Sequence, residues 1–256
     1  MKNISLKLIL ACTLFVFIFS CKSDDSGDSA NNPFAENLKV LGASAEDLLS
    51  NDIYSTITVE FAYASGFKPK DETLTLFRTL LNERLNKPGG VNFIETEISS
   101  PLDSSLTLDE IKNLETTHRT QYTSGDNIAV YIYFANGNSS NDTSSSVTLG
   151  TAYRNTSIVV FEKTLLDLVN NQGSDLLVLE ATTTQHEFGH ILGLVDLLDD
   201  DIHPENHEDS AHPNHCVVED CLMFFESTDF RSLRGKTSVP GFDPLCIADL
   251  QAKGGR

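Results

Sequence analysis

The spacing of hydrophobic and polar residues changes along the chain, and these changes predict alternating strands and helices. Period-two alternation and short apolar runs predict five strands, over residues 57–63, 91–98, 128–134, 148–153 and 157–161. Apolar residues three or four positions apart predict helices over residues 72–85, 106–117 and 162–170, the second starting at a Thr107 cap. The order βαβαβββα predicts an α/β (α+β) fold with a twisted, mixed and mostly parallel sheet.

A fourth helix is predicted directly after these elements. Ser174 and Asp175 suit an N-cap and first turn, no Gly or Pro interrupts the following residues, and Gly193 is placed to stop the helix. Its predicted buried face consists of Leu176, Leu179, Thr183, Phe188 and Leu192.

The last turns of this helix carry the sequence HExxHxxG. His186 and His190 are four residues apart, so both imidazoles lie on one helix face and can bind the same metal ion. Glu187 follows the first histidine, where its carboxylate can accept a proton from metal-bound water. We therefore predict metal ligands at His186 and His190 and a catalytic carboxylate at Glu187.

A loop rich in Asn and Ser, residues 136–146, precedes the strand predicted at 148–153. This arrangement predicts an edge strand. In a peptidase such an edge can hold an extended substrate by strand addition, and an edge strand without that role is the alternative.

The first residues resemble a bacterial lipoprotein signal. Lys2 and Lys7 precede an apolar run, 8–19, that is too short to span a membrane, and Ser20 and Cys21 end it. The acidic residues after Cys21 are similar to the export tag of surface lipoproteins in the Bacteroidetes group. The resemblance implies cleavage after residue 20, a lipid on Cys21 and a place on the outer membrane surface; an ordinary secretory signal is the alternative.

The rest of the chain is then predicted to form a tether and one domain. Residues 21–40 are the flexible tether, and residues 41–256 are the domain, which is divided into 41–194 and 195–256.

The net charge limits the binding partners of the protein, and the number of cysteines limits how they can pair. A net charge of −19 argues against nucleic acid and against electrostatic binding to anionic lipid. We expect a monomer, held at the membrane only by its lipid anchor. Beyond the signal and Cys21, three cysteines remain, and an odd number cannot all pair within the chain: Cys216, Cys221 and Cys246.

The residues after the helix resemble those of the archaemetzincins. HExxHxxG followed by a third ligand and a later methionine is the metzincin pattern, and here His215 directly precedes Cys216-x4-Cys221-x-Met223. The resemblance implies a zinc metalloendopeptidase of the metzincin-like zincin fold that acts on a polypeptide, with a small irregular C-terminal subdomain. It also places Met223 in a tight turn beneath the metal.

Two departures from that family leave alternatives open. His215 has the right neighbours for the third ligand, whereas Asp196 has the usual spacing from His190, and His212 and His207 rank behind. The family's second, structural zinc is held by four cysteines; here Asp249 stands in the place of the last. The resemblance thus implies a second zinc held by Cys216, Cys221, Cys246 and Asp249, and the alternative is a Cys216–Cys221 disulfide with Cys246 unpaired.

The expected function follows from these residues. A zinc-bound water activated by Glu187 would hydrolyse a peptide bond. The alternatives are a surface protein that binds polypeptides without turnover and a zinc hydrolase of a non-peptide bond. We expect the acidic insert, residues 196–214, to be a solvated loop over the site, with binding of a further cation as the alternative.

Overall fold

The computed structural model describes residues 32–100, 105–200, 202, 207–233 and 235–256. Pro33–Arg256 forms one compact unit. The predicted signal, Cys21 and most of the predicted tether lie outside the described residues. The compact unit begins earlier than residue 41, because the Asn37 side chain is buried and donates to the Ala129 carbonyl at 2.9 Å. No helix in the described part of the chain is long and apolar enough to cross a membrane.

A five-stranded sheet forms the centre of the unit, and seven strands are described: β1 (Thr56–Tyr63), β2 (Gly90–Glu97), β3 (Ser105–Leu106), β4 (Asn127–Phe134), β5 (Asn138–Ser139), β6 (Gly150–Arg154) and β7 (Ser157–Val160). The strand order is β2-β1-β4-β7-β6, parallel except for the antiparallel pair of β6 with β7. The predicted mixed, mostly parallel sheet is confirmed. The short strands β3 and β5 pair separately, and two residues are too few to show a periodicity.

Seven α-helices are described: α1 (Ala45–Leu49), α2 (Asp71–Arg84), α3 (Leu108–His118), α4 (Glu162–Gln172), α5 (Leu176–Ile191), α6 (Phe230–Leu233) and α7 (Pro244–Ala252). Short 3-10 helices span Ala35–Asn37 and Phe225–Thr228. Helix α3 begins at a capping box in which the Thr107 hydroxyl accepts from the Glu110 amide and the Glu110 carboxylate accepts from the Thr107 amide. The Thr107 cap predicted from the sequence is therefore present.

Helix α5 packs on one face of the sheet, where it contacts α2, α4, β6 and β7. From Val178 to Ile191 every residue of α5 is buried, the polar ones included. The sequence predicts a single buried face, but a helix enclosed on all sides has no need of an amphipathic stripe. This enclosure brings the polar end of α5 into the interior beside β6.

A buried ion network fixes the edge strand β6 to α3 on the opposite face of the sheet. The Glu115 carboxylate lies 2.7 Å from an Arg119 guanidinium nitrogen and 2.7 Å from one of Arg154 in β6. The Glu115 side chain is 2% exposed, so the pairing of both its oxygens matters for stability. The network therefore holds the strand that faces the end of α5.

Candidate metal centre

Three histidines come together at the end of α5. His186 and His190 lie on its last turns, and His215 reaches them from the segment that follows the acidic insert. The ring centroids lie 4.9 Å apart for His186 and His190, and each lies 5.2 Å from that of His215. One nitrogen from each ring lies within 4.8 Å of the other two. The three rings thus surround one point.

Each ring has its Nδ1 atom next to a backbone carbonyl oxygen. The pairs are His186 with Leu222 at 2.8 Å, His190 with Leu194 at 2.9 Å, and His215 with Pro213 at 3.0 Å. A carbonyl oxygen only accepts hydrogen bonds, so in each neutral ring Nδ1 carries the proton and Nε2 keeps its lone pair. Three oriented Nε2 donors are the ligand set of a catalytic zinc site, and the residues present therefore fit zinc.

The surroundings keep two of these rings uncharged. Burial lowers the pKa of His190 to about 4, and the nearby His215 ring acts in the same direction. Burial also holds the pKa of His186 well below its ordinary value, with His190 adding to the effect. Both rings are neutral near pH 7, which is the form that binds a metal ion.

Glu187 is held between α5 and the edge strand. Its side chain is buried, and its Oε2 accepts a hydrogen bond from the Ala152 amide of β6 at 2.8 Å. Burial raises the pKa of Glu187 to about 7, against the opposing effect of that hydrogen bond. Such a pKa suits a carboxylate that accepts and then releases a proton at neutral pH. A Cβ at Gly150 would lie 2.8 Å from the Glu187 Cγ, so a glycine lets β6 approach this closely.

Met223 packs directly against α5, the helix that carries the HExxH sequence. An ideal Cβ built on Gly189 would lie 2.3 Å from the Met223 Sδ, closer than such atoms can approach. Met223 is fully buried, and the turn that carries it also places the Ser227 Oγ 2.9 Å from His186 Nδ1. Met223 thus packs against the helix that carries His186 and His190, and its predicted position beneath a metal ion stays a prediction.

A cleft of about 340 Å³ opens onto the histidines. Its lining residues are Leu41, Gly150, Thr151, Ala152, His186, Glu187, His190, Leu197, Asn214, His215 and Thr228. The lining includes both the catalytic candidates and three residues of β6. A molecule in this cleft would therefore lie against the sheet edge and the histidines together.

The other candidates for the third ligand lie elsewhere. Among the described residues, Asp196 is not in the histidine group and sits in the turn after Gly193 with φ +53°. His212 stacks on the Phe225 ring at a centroid distance of 3.4 Å, and its Nδ1 lies 2.7 Å from an Asp209 oxygen. His207 belongs to a second group of donors.

That second group contains the cysteines. One donor atom from each of His207, Cys216, Asp243 and Cys246 lies within 4.8 Å of the others. The Cys221 Sγ lies 3.6 Å from that of Cys246. All three cysteines are free thiols, so the structure does not contain the alternative Cys216–Cys221 disulfide. Asp249, predicted as a ligand, is not in this group; its Oδ2 lies 2.7 Å from His207 Nε2.

The sequence did not predict two of these contributors, the Ala152 amide and Asp243. The Ala152 amide that binds Glu187 is a backbone group, which no side-chain pattern reveals. Asp243 followed by Pro244 is a readable helix start, since Asp243 caps α7 by accepting from the Cys246 amide and Pro occupies the first turn. That signal alone would have placed the third cysteine at a helix N-terminus.

Comparison with known proteins identifies a solved structure with a similar fold. No protein-family model matches the sequence, and no curated protein matches it. Among solved structures, the chain is similar to the crystal structure of archaemetzincin from Methanopyrus kandleri, with a TM-score of 0.51 and 17% sequence identity. The match covers 78% of this chain and 96% of that one. The metzincin-like architecture predicted from the sequence is thus confirmed, and the chain has an archaemetzincin-like fold.

Proposed function

We propose that the protein is a zinc-dependent hydrolase that cleaves peptide bonds within polypeptides. The observation that carries this proposal is the convergence of three Nε2 donors beside the buried carboxylate of Glu187. A purely structural histidine group would not need a carboxylate with a pKa near neutrality at the mouth of a cleft. The archaemetzincin-like fold supports the same reading.

The chemistry divides between the ion and the protein. Zinc bound by His186, His190 and His215 would lower the pKa of a water molecule and polarise the substrate carbonyl. Glu187 accepts the proton of the attacking water and delivers it to the departing amine. The Ala152 amide holds the Glu187 carboxylate in place, and the three backbone carbonyls at the Nδ1 atoms hold the rings in theirs.

The edge strand supports a polypeptide as the substrate. Strand β6 ends the sheet, and Gly150 and Thr151 line the cleft next to Glu187. An extended chain can pair with such an edge through main-chain hydrogen bonds, which require no particular sequence. This would bring a scissile carbonyl alongside the histidines, and it favours a peptide bond over other hydrolysable bonds.

The test compares wild type with Glu187→Gln on a mixed peptide library, with products identified by mass spectrometry. We expect Glu187→Gln to keep its zinc and to lose activity by about 10²–10⁴-fold, because Gln fills the same space without accepting a proton. His212→Ala is the control, since His212 lies outside the three-histidine group, and it should cleave as wild type does. Equal activity of Glu187→Gln would overturn the mechanism, and binding of peptides without cleavage by wild type would favour a non-catalytic binder.

The location is a separate proposal. We infer that Cys21 carries the lipid and that the domain stands on the outer membrane surface, on the strength of the sequence around residues 8–25. Cys21→Ser should move the protein from the membrane fraction to the soluble fraction and abolish labelling by a fatty-acid analogue. Unchanged membrane association of that variant would refute the anchor.

A further inference from the structure

A second cluster of buried donor atoms lies in the C-terminal part of the chain, and we call it the sulfur cluster: His207, Cys216, Cys221 and Cys246. All four residues are at most 2% exposed. The Cys216 Sγ lies 3.6 Å from His207 Nδ1, and the Cys221 and Cys246 sulfurs lie 3.6 Å apart. The four donors within 4.8 Å of one another are those of His207, Cys216, Cys246 and Asp243, and Cys221 adjoins them through Cys246.

The backbone around the sulfur cluster is arranged for thiolates. The Cys221 Sγ accepts hydrogen bonds from the Met223 amide at 3.3 Å and the Asp243 amide at 3.4 Å. The Cys216 Sγ accepts one from the Val218 amide at 3.4 Å. Hydrogen bonds from N–H groups favour the charged form of sulfur, and buried negative charge requires a cation nearby. The cluster therefore points to a bound metal ion.

The two nitrogens of His207 have different surroundings. Nδ1 faces the Cys216 sulfur, whereas Nε2 lies 2.7 Å from the Asp249 Oδ2, and both side chains are buried. A carboxylate at Nε2 keeps the proton on that nitrogen and leaves the lone pair on Nδ1. This carboxylate–histidine pairing is the usual support of a histidine that binds zinc.

The resemblance to the archaemetzincins already implies a second zinc at these cysteines. We propose that in this chain His207 Nδ1 takes its fourth position beside the thiolates of Cys216, Cys221 and Cys246, and that Asp249 positions His207 instead of binding the metal. Three sulfurs and one nitrogen are a common closed, tetrahedral set for structural zinc. The acidic insert would thus supply one ligand of this site. Zinc content is measured without substrate, so the second zinc can be tested whether or not the protein hydrolyses peptides.

Asp243 is the rival for the fourth position. Its Oδ2 lies 3.0 Å from the Cys216 sulfur, but its Oδ1 accepts the Cys246 amide and caps α7. A fourth anion beside three thiolates would also leave the zinc site more negative than a neutral imidazole does, which burial disfavours. Both considerations favour His207.

The first experiment counts metal in the purified chain by mass spectrometry of the elements. Wild type should hold about two equivalents of zinc and His207→Ala about one, with the remaining ion at the three histidines showing that the variant folds. Asp249→Ala should still bind both ions when zinc is in excess, with about 10–100-fold weaker affinity at the sulfur cluster. His212→Ala, in the same insert, is the matched control and should bind as wild type does.

Cobalt provides the second readout. The cobalt-loaded wild type should show the sulfur-to-cobalt absorption of three thiolates, which should survive in Asp249→Ala and weaken in His207→Ala. Full zinc affinity in His207→Ala would overturn the assignment, and so would loss of the second ion in Asp249→Ala when zinc is in excess. So would one titratable thiol and no second zinc in the unreduced protein, which is the result that a disulfide predicts.

Discussion

Replacing Gly189 with alanine sets two known effects against each other. In a helix, alanine is favoured over glycine by about 1 kcal/mol, so propensity alone predicts a more stable protein. Packing predicts the opposite, because the added Cβ would lie 2.3 Å from the Met223 Sδ and 3.3 Å from the Phe242 Cε1. Ordinary carbon contacts are about 3.5–4.0 Å, so Met223 would have to move by more than an ångström.

The magnitude follows from the burial of Met223. The side chain is fully enclosed and cannot swing into solvent, so the clash is relieved only by shifting α5 or the Met223 turn. Overpacking of this kind costs about 1–3 kcal/mol, and a clash this close belongs to the upper half of that range. Subtracting the propensity gain leaves a net loss of about 1–2 kcal/mol in the free energy of unfolding.

Urea denaturation at matched zinc content measures this loss as a lower midpoint at an unchanged slope. Gly241→Ala is the control, because nothing lies within 4 Å of its Cβ position, and its effect should stay within about 0.5 kcal/mol. In a double-mutant cycle, Met223→Ala should offset part of the cost of Gly189→Ala through a coupling of about 0.5–3 kcal/mol. A stabilised Gly189→Ala protein, or no coupling with Met223, would refute the packing argument.

Three further substitutions test other parts of the fold. Burial, and to a smaller extent the charge of Glu180, raise the pKa of Glu162 well above its ordinary value of 4.5. The folded state therefore opposes ionisation of Glu162, and the free energy of unfolding falls as the pH rises above 4.5. Glu162→Gln should therefore raise Tm more at pH 8 than at pH 5, and an equal effect at both would contradict the assignment. Asp175→Ala removes the cap that accepts from the Leu177 amide and should cost about 1 kcal/mol in thermal denaturation with zinc content unchanged. Glu115→Ala leaves the buried Arg119 guanidinium without its carboxylate partner and should cost about 3–5 kcal/mol in urea, and a loss under about 1 kcal/mol would count against the network.

The sheet and the motif helix were predictable because their signals are local. The apolar strand that became β4, Asn127–Phe134, is buried on both faces, and a parallel central strand needs such a continuous run. The cap of α5 at Asp175 and its end before Gly193 are also encoded in neighbouring residues. The full burial of α5 was not predictable, since it depends on how α5 packs against other elements in the folded chain, among them α2, which is distant in sequence.

The candidate metal ligands could be predicted only in part, because residues distant in sequence contribute to each group. Spacing favoured Asp196 and neighbour identity favoured His215, and the structure places His215 with the other two histidines. For the sulfur cluster, position in the family pattern indicated Asp249, whereas the structure places His207 beside Cys216 and Asp249 behind it. His207 lies 42 residues from Asp249 in the chain, and only the folded chain brings them into contact.

One peptide bond joins the histidine group to the sulfur cluster, because His215 directly precedes Cys216. The Cys216 amide also donates to the Met223 carbonyl at 2.8 Å, which ties this segment to the residue that packs against α5. When a bound ion fixes one of these two residues, the backbone of the other is already partly ordered. An ion bound at one group would therefore reduce the entropic cost of binding at the other, and by reciprocity the two affinities would rise together.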